Sequence, residues 1–282
     1  MRGALIVVLS YEGEASPLSS AKVDLGVIWN LVTLRLKVPA ENVKIITDVR
    51  FTLERPLTPN DWRSCPRISY NTTSLELITS INELVTSSSF SFIFMSGHGE
   101  VCSLRGMSLF SIGGRMISGA SLTAPINGSA FSARVGVKGF SSPVRGTQTE
   151  TVEPSLDQSI VTFRNPGPQP PTISRDVFFF IDCCHSAGII KLPYSCYVDR
   201  GGRFIKLPTG ISREDLGDVR LAALSSCDHN GISFSSPRGS PMINDLCSLI
   251  GCSGSLQELA RDLPRGAVLA FMREEDLHDM TW

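Results

Sequence analysis

Short, strongly apolar runs recur along the chain and alternate with stretches in which apolar residues return every three or four positions. The runs predict β-strands at residues 4–10, 43–47, 89–95, 177–181, 219–225 and 266–272. The periodic stretches predict helices at residues 19–36, 74–86, 242–250 and 254–263. Strands that are apolar throughout and separated by helices are buried on both faces. The pattern therefore predicts an α/β fold, with an open, mostly parallel sheet flanked by helices in three layers (α/β/α).

Between residues 103 and 172 the apolar residues show no sustained spacing, and the stretch is rich in Ser, Gly and Pro. Its charged residues are mostly basic: Arg105, Arg115, Arg134, Lys138, Arg145, Arg164, Glu150, Glu153 and Asp157. A loop of this length inside a compact domain is uncommon and is usually functional or disordered. We therefore expect residues 103–172 to be a mobile insertion within one domain, with a basic bias suited to docking a partner or the substrate protein.

Composition narrows the classes of protein to consider. The 282 residues are 42% hydrophobic and 19% charged, which is enough apolar material for a folded core. The net charge of -1 gives no reason to expect nucleic-acid or anionic-membrane partners. The first apolar run is too short for a signal peptide or a membrane span, so we expect a cytoplasmic protein whose eight cysteines are reduced. The outermost predicted strands begin at residue 4 and end at residue 272, so we expect no recruitment domain at either end.

Reactive side chains follow two of the predicted strands. The strand at residues 89–95 runs into SGHG, which contains His98, and the strand at residues 177–181 runs into DCCHSAG, which contains Cys184. Because the carboxyl ends of neighbouring parallel strands meet at one edge of a sheet, an imidazole and a thiol are expected side by side. A lone His or Cys is more often structural, but the pair supplies a nucleophile and a proton carrier.

The same region leaves one metal site open as an alternative. Cys183, Cys184, His185 and Cys196 are residue types that bind zinc. Adjacent cysteines rarely both reach one tetrahedral ion, and no CxxC spacing occurs in the chain. The Cys/His pair is therefore the favoured interpretation.

Taken together, these motifs resemble those of the caspase-like cysteine peptidases, and of the metacaspase branch in particular. The likeness covers most of the chain: SFSFIFMSGHG, VFFFIDCCHSAG, LAALSSCDHN and the helical stretch at residues 239–263. The resemblance implies a caspase-like fold, with a large-subunit-like part at residues 1–196, a linker at 197–218 and a small-subunit-like part at 219–282.

Carried over residue by residue, the resemblance assigns the catalytic roles. Cys184 is the expected nucleophile because the family's nucleophile directly precedes His-Ser, and His98 is its partner. The backbone N–H groups of Gly99 and Cys184 are expected to form the oxyanion hole. Cys183 is then a neighbour, and His185 is expected to support the loop rather than act as the base.

Charge predicts the substrate preference. Caspases carry a neutral Gln two residues before the nucleophile, where this chain has Asp182. An anion at that position favours Arg or Lys before the scissile bond, although a carboxylate there is also suited to capping a loop or helix. Asp228 resembles a second acid of the same pocket, with a spacing one residue shorter than in metacaspases, and Cys102 is expected to line the pocket.

The resemblance to metacaspases makes calcium a possible cofactor, and it is the only one to consider. The acids near the expected region are Asp199, Glu214, Asp215 and Asp218. They show no recognisable ligand spacing, and a solvated loop is an equal interpretation. We therefore assign no metal ligands.

The sequence thus predicts a metacaspase-like cysteine endopeptidase that acts on proteins or peptides after Arg or Lys. Self-processing is expected in the linker, whose basic residues are Arg200, Arg203, Lys206 and Arg213. The alternative is a catalytically silent regulator or scaffold that binds a protein partner, because Glu100 is the only acid soon after His98, where metacaspases carry Asp. The pattern does not decide between a monomer and a dimer.

Overall fold

The computed structural model describes residues 1–50, 65–102, 107–126, 175–212 and 218–282. The strands in these ranges are β1 (Arg2–Val8), β2 (Val43–Thr47), β3 (Arg67–Ser69), β4 (Phe90–Ser96), β5 (Gly99–Cys102), β6 (Met107–Ile112), β7 (Arg115–Ser118), β8 (Arg175–Asp182), β9 (Tyr194–Val198), β10 (Phe204–Pro208), β11 (Val219–Ser225) and β12 (Val268–Phe271). The helices are α1 (Ala21–Asn30), α2 (Ser74–Ser87), α3 (Gly119–Thr123), α4 (Pro241–Cys252), α5 (Leu256–Arg261) and α6 (Asp276–Asp279).

A large mixed sheet organises the chain, with strand order β10-β9-β12-β11-β8-β4-β1-β2-β3. The run from β11 to β3 is parallel throughout, whereas β12, β9 and β10 join it in antiparallel pairs. Strands β5, β6 and β7 form a separate antiparallel sheet. The α/β fold with a mostly parallel sheet is therefore confirmed.

Each face of the large sheet carries its own apolar core, because side chains of one strand alternate between the two faces. Ile6, Phe92 and Phe178 pack with α1, α4 and α5 on one face. Leu5 and Ile93 are among the residues that pack with α2 and α3 on the other. The three layers expected from the sequence are present, and this arrangement leaves the carboxyl ends of the parallel strands free to build a site.

Serine and threonine caps define where the helices begin. The Thr73 hydroxyl accepts a hydrogen bond from the Glu76 amide at the start of α2, and Ser240 does the same for Ile243 in α4. Helix α1 ends earlier than its apolar period predicts, because the chain continues as a π-helical turn over Leu31–Arg35. At 14 residues, α2 is the longest helix in the described ranges and is too short to cross a bilayer.

The expected insertion and the expected linker both contain regular elements in the described ranges. Residues 107–126 form β6, β7 and α3 rather than irregular chain, and residues 103–106 and 127–172 lie outside the described ranges. Gly113 and Gly114 have φ angles of 56° and 71°, which is the turn geometry that joins two strands tightly. The expected linker at 197–218 contains β10 and the end of β9, which pair as a hairpin at the edge of the sheet.

Candidate active site

His98 and Cys184 occupy equivalent positions beyond two neighbouring strands. In the β4–β8 pairing Ser96 lies opposite Asp182. His98 comes two residues after Ser96, and Cys184 comes two residues after Asp182. The Gly97 amide donates to Asp182 O at 3.3 Å, which keeps the two chains together beyond the strands. A Cβ on Gly99 would overlap Cys184 O, so the two loops are in backbone contact. The structure therefore brings the predicted imidazole and thiol to one edge of the sheet.

The two adjacent cysteines have opposite environments. Cys183 is 1% exposed, and burial raises the pKa of its thiol well above the ordinary value. Cys184 is partly exposed, and its Sγ lies 3.9 Å from Ser233 O. Because a thiolate is the reactive form, Cys183 is held inert while Cys184 is the thiol that a substrate can reach.

The ring of His98 is oriented by a backbone carbonyl. Its Nε2 lies 2.6 Å from Ser16 O, and a carbonyl oxygen can only accept. Nε2 therefore carries the proton, and Nδ1 is the nitrogen left to accept one. Among the residues that the structure describes, no hydrogen bond joins His98 to Cys184. Such contacts often tighten only when substrate is bound.

Two backbone N–H groups, those of Gly99 and Cys184, have no backbone acceptor in the described ranges. The Ser111 amide donates to His98 O at 2.9 Å, so these residues form a hydrogen-bonded pair at the end of the β5–β6 ladder. Bonded and non-bonded pairs alternate in an antiparallel ladder, so the next pair, Gly99 with Phe110, leaves the Gly99 N–H pointing away from β6. Within the described part of the chain the Cys184 N–H also has no acceptor.

Replacing Gly99 with Ala is expected to lower the free energy of unfolding by about 1–3 kcal/mol, because the new methyl group would overlap Cys184 O and force the two loops apart. Urea denaturation measures this change. Gly26→Ala is the matched control, since a Cβ at that exposed helical position meets nothing within 4 Å. Equal stability of the two variants would contradict the close packing of the loops.

Two buried acids are Asp182, two positions before Cys184, and Asp24. Asp182 is 5% exposed, and its Oδ1 accepts a hydrogen bond from the Ser233 hydroxyl at 2.6 Å. Asp24 on α1 is fully buried; its Oδ1 accepts from the Ser240 amide at 2.8 Å, and its Oδ2 has no hydrogen-bond partner in the described ranges. Burial raises the pKa of both carboxyls, and the Asp182 charge raises that of Asp24 further. The Asp182 charge therefore acts on the buried Asp24 carboxyl.

Asp24 is the acid that the sequence analysis missed. Its neighbours on α1, Ala21, Leu25 and Ile28, are all buried, and their spacing places Asp24 on the same face of the helix. A carboxylate in the middle of an apolar stripe is unusual unless it is paired or functional. The position of Asp24 among these apolar residues was the sequence signal that could have identified it.

The pH dependence of stability is expected to report the buried Asp182. Burial raises its pKa above the ordinary 3.8, so the folded state binds the proton more tightly than the unfolded chain does. Its contribution to stability is full below pH 3.8 and is lost as pH rises through the raised pKa. The free energy of unfolding of Asp182→Asn, relative to the unchanged protein, is therefore expected to increase from pH 4 to pH 8. Urea melts at both pH values measure this, and a difference independent of pH would contradict the burial of a charge.

Asp228 does not join this pair. It is exposed, its Oδ1 accepts from the Asn230 amide at 2.9 Å, and it lines a cavity of about 1160 Å³ that neither Asp182 nor Cys184 lines. Cys102 ends β5, where it pairs with Met107, and its neighbour Val101 lines the same cavity.

His185 holds the turn that follows Cys184. This residue has a φ of 59°, its amide donates to Gly231 O at 2.9 Å, and its Nδ1 lies 3.0 Å from His229 O. Both ring and backbone are thus engaged with the loop that follows β11. These contacts suit support of the loop and leave His98 as the imidazole beside Cys184.

The metal alternative is not supported. In the described ranges no three His, Cys, Asp or Glu side chains lie close enough together to hold an ion, and Cys196 is buried in the core on β9. Of the acids considered for calcium, Asp199 accepts hydrogen bonds from Arg203, while Glu214 and Asp215 lie outside the described residues.

No family model and no curated protein matches the chain. Among solved structures, it is similar to protein GSU0716 from Geobacter sulfurreducens, with a TM-score of 0.50 and 14% identity over 96% of this chain and 92% of that chain. It is also similar to caspase-1 from Spodoptera frugiperda, with a TM-score of 0.47 and 13% identity over 92% and 73% of the two chains. For the Drosophila initiator caspase Dronc the values are 0.41 and 10%, over 96% and 78%. At such identities a likeness concerns the fold alone.

Proposed function

We propose that this chain is a cysteine endopeptidase of the metacaspase-like kind, which cleaves peptide bonds after Arg or Lys. The observation that carries the proposal is the placement of Cys184 and His98 at equivalent positions beyond the paired residues Ser96 and Asp182, with their loops in contact. A reachable thiol, an imidazole with an oriented ring and two free N–H groups are the parts that acyl transfer requires.

In this mechanism the Cys184 sulfur attacks the carbonyl carbon of the scissile bond while Nδ1 of His98 takes the thiol proton. The carbonyl oxygen becomes an oxyanion that accepts hydrogen bonds from the N–H groups of Gly99 and Cys184. His98 then gives its proton to the leaving nitrogen as the C–N bond breaks and a thioester remains. Water, deprotonated by His98, attacks the thioester and restores the thiol. Ser16 O keeps its contact with Nε2 and so holds the ring in place in both protonation states.

The preference for a basic residue follows from Asp182 and Asp24. A buried carboxylate is unfavourable unless it is paired, and a guanidinium or ammonium group entering beside it would remove that penalty. Ser233 contacts both Asp182 and Cys184, so the bound peptide would run along the segment that contains it. Ile232 and Phe234 on either side are 63% and 76% exposed and offer apolar surface to neighbouring substrate residues.

Hydrolysis of fluorogenic peptides tests the proposal. Matched peptides ending in Arg, Lys or Asp are incubated with the protein in calcium and in chelator. Cleavage after Arg and Lys alone supports the proposal, and the chelator series decides whether calcium is needed. Cleavage after Asp would contradict the role of Asp182, and no cleavage under any condition would favour the silent regulator or scaffold.

Self-processing is part of the proposal, and the contacts of the β9–β10 hairpin limit which basic residues are expected to be cleaved. Arg203 and Lys206 are engaged in ion pairs with Asp199 and Glu274. Arg200 lies in the exposed turn between β9 and β10, where a protease can reach the backbone, and Arg213 lies outside the described residues. The same incubations, analysed by gel and mass spectrometry, are expected to show cleavage after Arg200 or Arg213, and an intact chain would contradict this part of the proposal.

A further inference from the structure

Tyr11 makes two contacts with His98 and one with Ser111, the residue opposite it on β6. Its hydroxyl donates to Ser111 O at 2.6 Å and accepts from the His98 amide at 3.0 Å. Its ring lies against the imidazole, with 4.3 Å between centroids and a tilt of 31°. Tyr11 is 5% exposed, so these contacts are made inside the protein. One buried side chain therefore touches both the backbone and the ring of the proposed base.

The Tyr11 hydroxyl takes the place of a ladder hydrogen bond. The β5–β6 register places His98 opposite Ser111, and the Ser111 amide donates to His98 O. A bonded pair of an antiparallel ladder normally exchanges two such bonds. Here the second is interrupted, because the hydroxyl lies between the His98 N–H and Ser111 O. The separation of the two strand ends at His98 is therefore set by the tyrosine oxygen.

Tyr11 adopts an unusual backbone conformation, which Asp48 stabilises. Its φ is 54°, which is rare for a bulky residue. The Asp48 carboxylate accepts hydrogen bonds from the amides of Ser10 at 2.6 Å and Tyr11 at 2.8 Å, and so stabilises this turn. At Gly97 a Cβ would lie only 2.7 Å from the Tyr11 oxygen, so the absence of a side chain there makes room for the hydroxyl.

We infer that Tyr11 is a positioning residue that holds His98 at the distance and orientation needed to serve Cys184, and that Asp48 acts through it. The kinetic part of this inference rests on the proposed peptidase function. Tyr11 does not reach the substrate in this arrangement, so its removal is expected to slow the chemical step without weakening substrate binding. Backbone strain next to a reactive group is a recurrent feature of sites that require exact placement.

Tyr11→Phe tests the inference because it keeps the ring and removes only the oxygen. Tyr70→Phe is the matched control, since Tyr70 is 55% exposed and lies beyond β3 at the far edge of the sheet. With an Arg peptide, kcat of Tyr11→Phe is expected to fall about tenfold to a hundredfold, with KM within about twofold of the unchanged protein. Asp48→Asn is expected to change kcat in the same direction and by less, because one of the two amides keeps its acceptor.

A second readout does not depend on activity. The side-chain nitrogens of His98 are observed by proton–nitrogen correlation spectra and assigned by their loss in His98→Asn. Their shifts are expected to change in Tyr11→Phe and to stay unchanged in Tyr70→Phe. If the unchanged protein cleaves no peptide, the peptidase proposal fails while this spectrum still tests the positioning role. Unchanged His98 shifts would overturn the inference, as would an unchanged kcat in a protein that cleaves the Arg peptide.

Discussion

Cys184→Ala is expected to reduce the hydrolysis of Arg and Lys peptides by about 10⁴-fold or more, because no other reachable thiol lies beside His98 in the described ranges. Cys183→Ala is the matched control on the adjacent residue. Cys183 is buried, and its thiol pKa is raised, so the activity of this variant is expected to stay within a few-fold of the unchanged protein. The two variants differ by one position in the chain and are expected to differ by orders of magnitude in rate.

The measurement is the rate of release of a fluorogenic group at saturating peptide. Thermal melts of both variants confirm that they are folded. Labelling with iodoacetamide followed by mass spectrometry adds a check, since the modified residue is expected to be Cys184 and the label is expected to inactivate the protein. Retained activity in Cys184→Ala, or its loss only in Cys183→Ala, would show that the nucleophile has been assigned to the wrong cysteine.

Asp182→Asn is expected to lower kcat/KM for an Arg peptide by about a thousandfold, which corresponds to about 4 kcal/mol of lost interaction. The physical reason is that the substrate cation would enter a buried site that no longer holds its counterion, and unpaired buried charge is strongly unfavourable. The fold is expected to persist, because the amide oxygen can still accept the hydrogen bond from Ser233. The value of kcat/KM is therefore expected to fall without a matching fall in the free energy of unfolding.

Asp228→Asn provides the control for this prediction. Asp228 was also expected in the pocket from the sequence, but it is exposed and lines a cavity that Asp182 does not line, so its variant is expected to keep kcat/KM within a few-fold. Initial rates over a range of Arg, Lys and uncharged peptides give the comparison. A large loss in Asp228→Asn with little change in Asp182→Asn would mean that the cation binds in the cavity that Asp228 lines.

Much of the fold follows from the local pattern of apolar residues. All six predicted strands and all four predicted helices lie within a few residues of observed elements: β1, β2, β4, β8, β11, β12, α1, α2, α4 and α5. Such strands can be recognised in the sequence because a strand buried on both faces is apolar throughout. The strands that were missed, β9 and β10 among them, are partly exposed and mixed in polarity, so their apolar signal is weak.

The reactive groups and the apolar strands that precede them can be recognised from the residues alone, in the segments SGHG and DCCHSAG. The folded arrangement was needed to bring Asp24 within the influence of the Asp182 charge and to set Asp228 beside a cavity that Asp182 does not line. It alone set Ser16 and Tyr11 against His98, although they are 82 and 87 residues away in the chain. The reason is physical: burial patterns are encoded by neighbouring residues, whereas contacts between distant ones depend on strand order, register and the path of the loops.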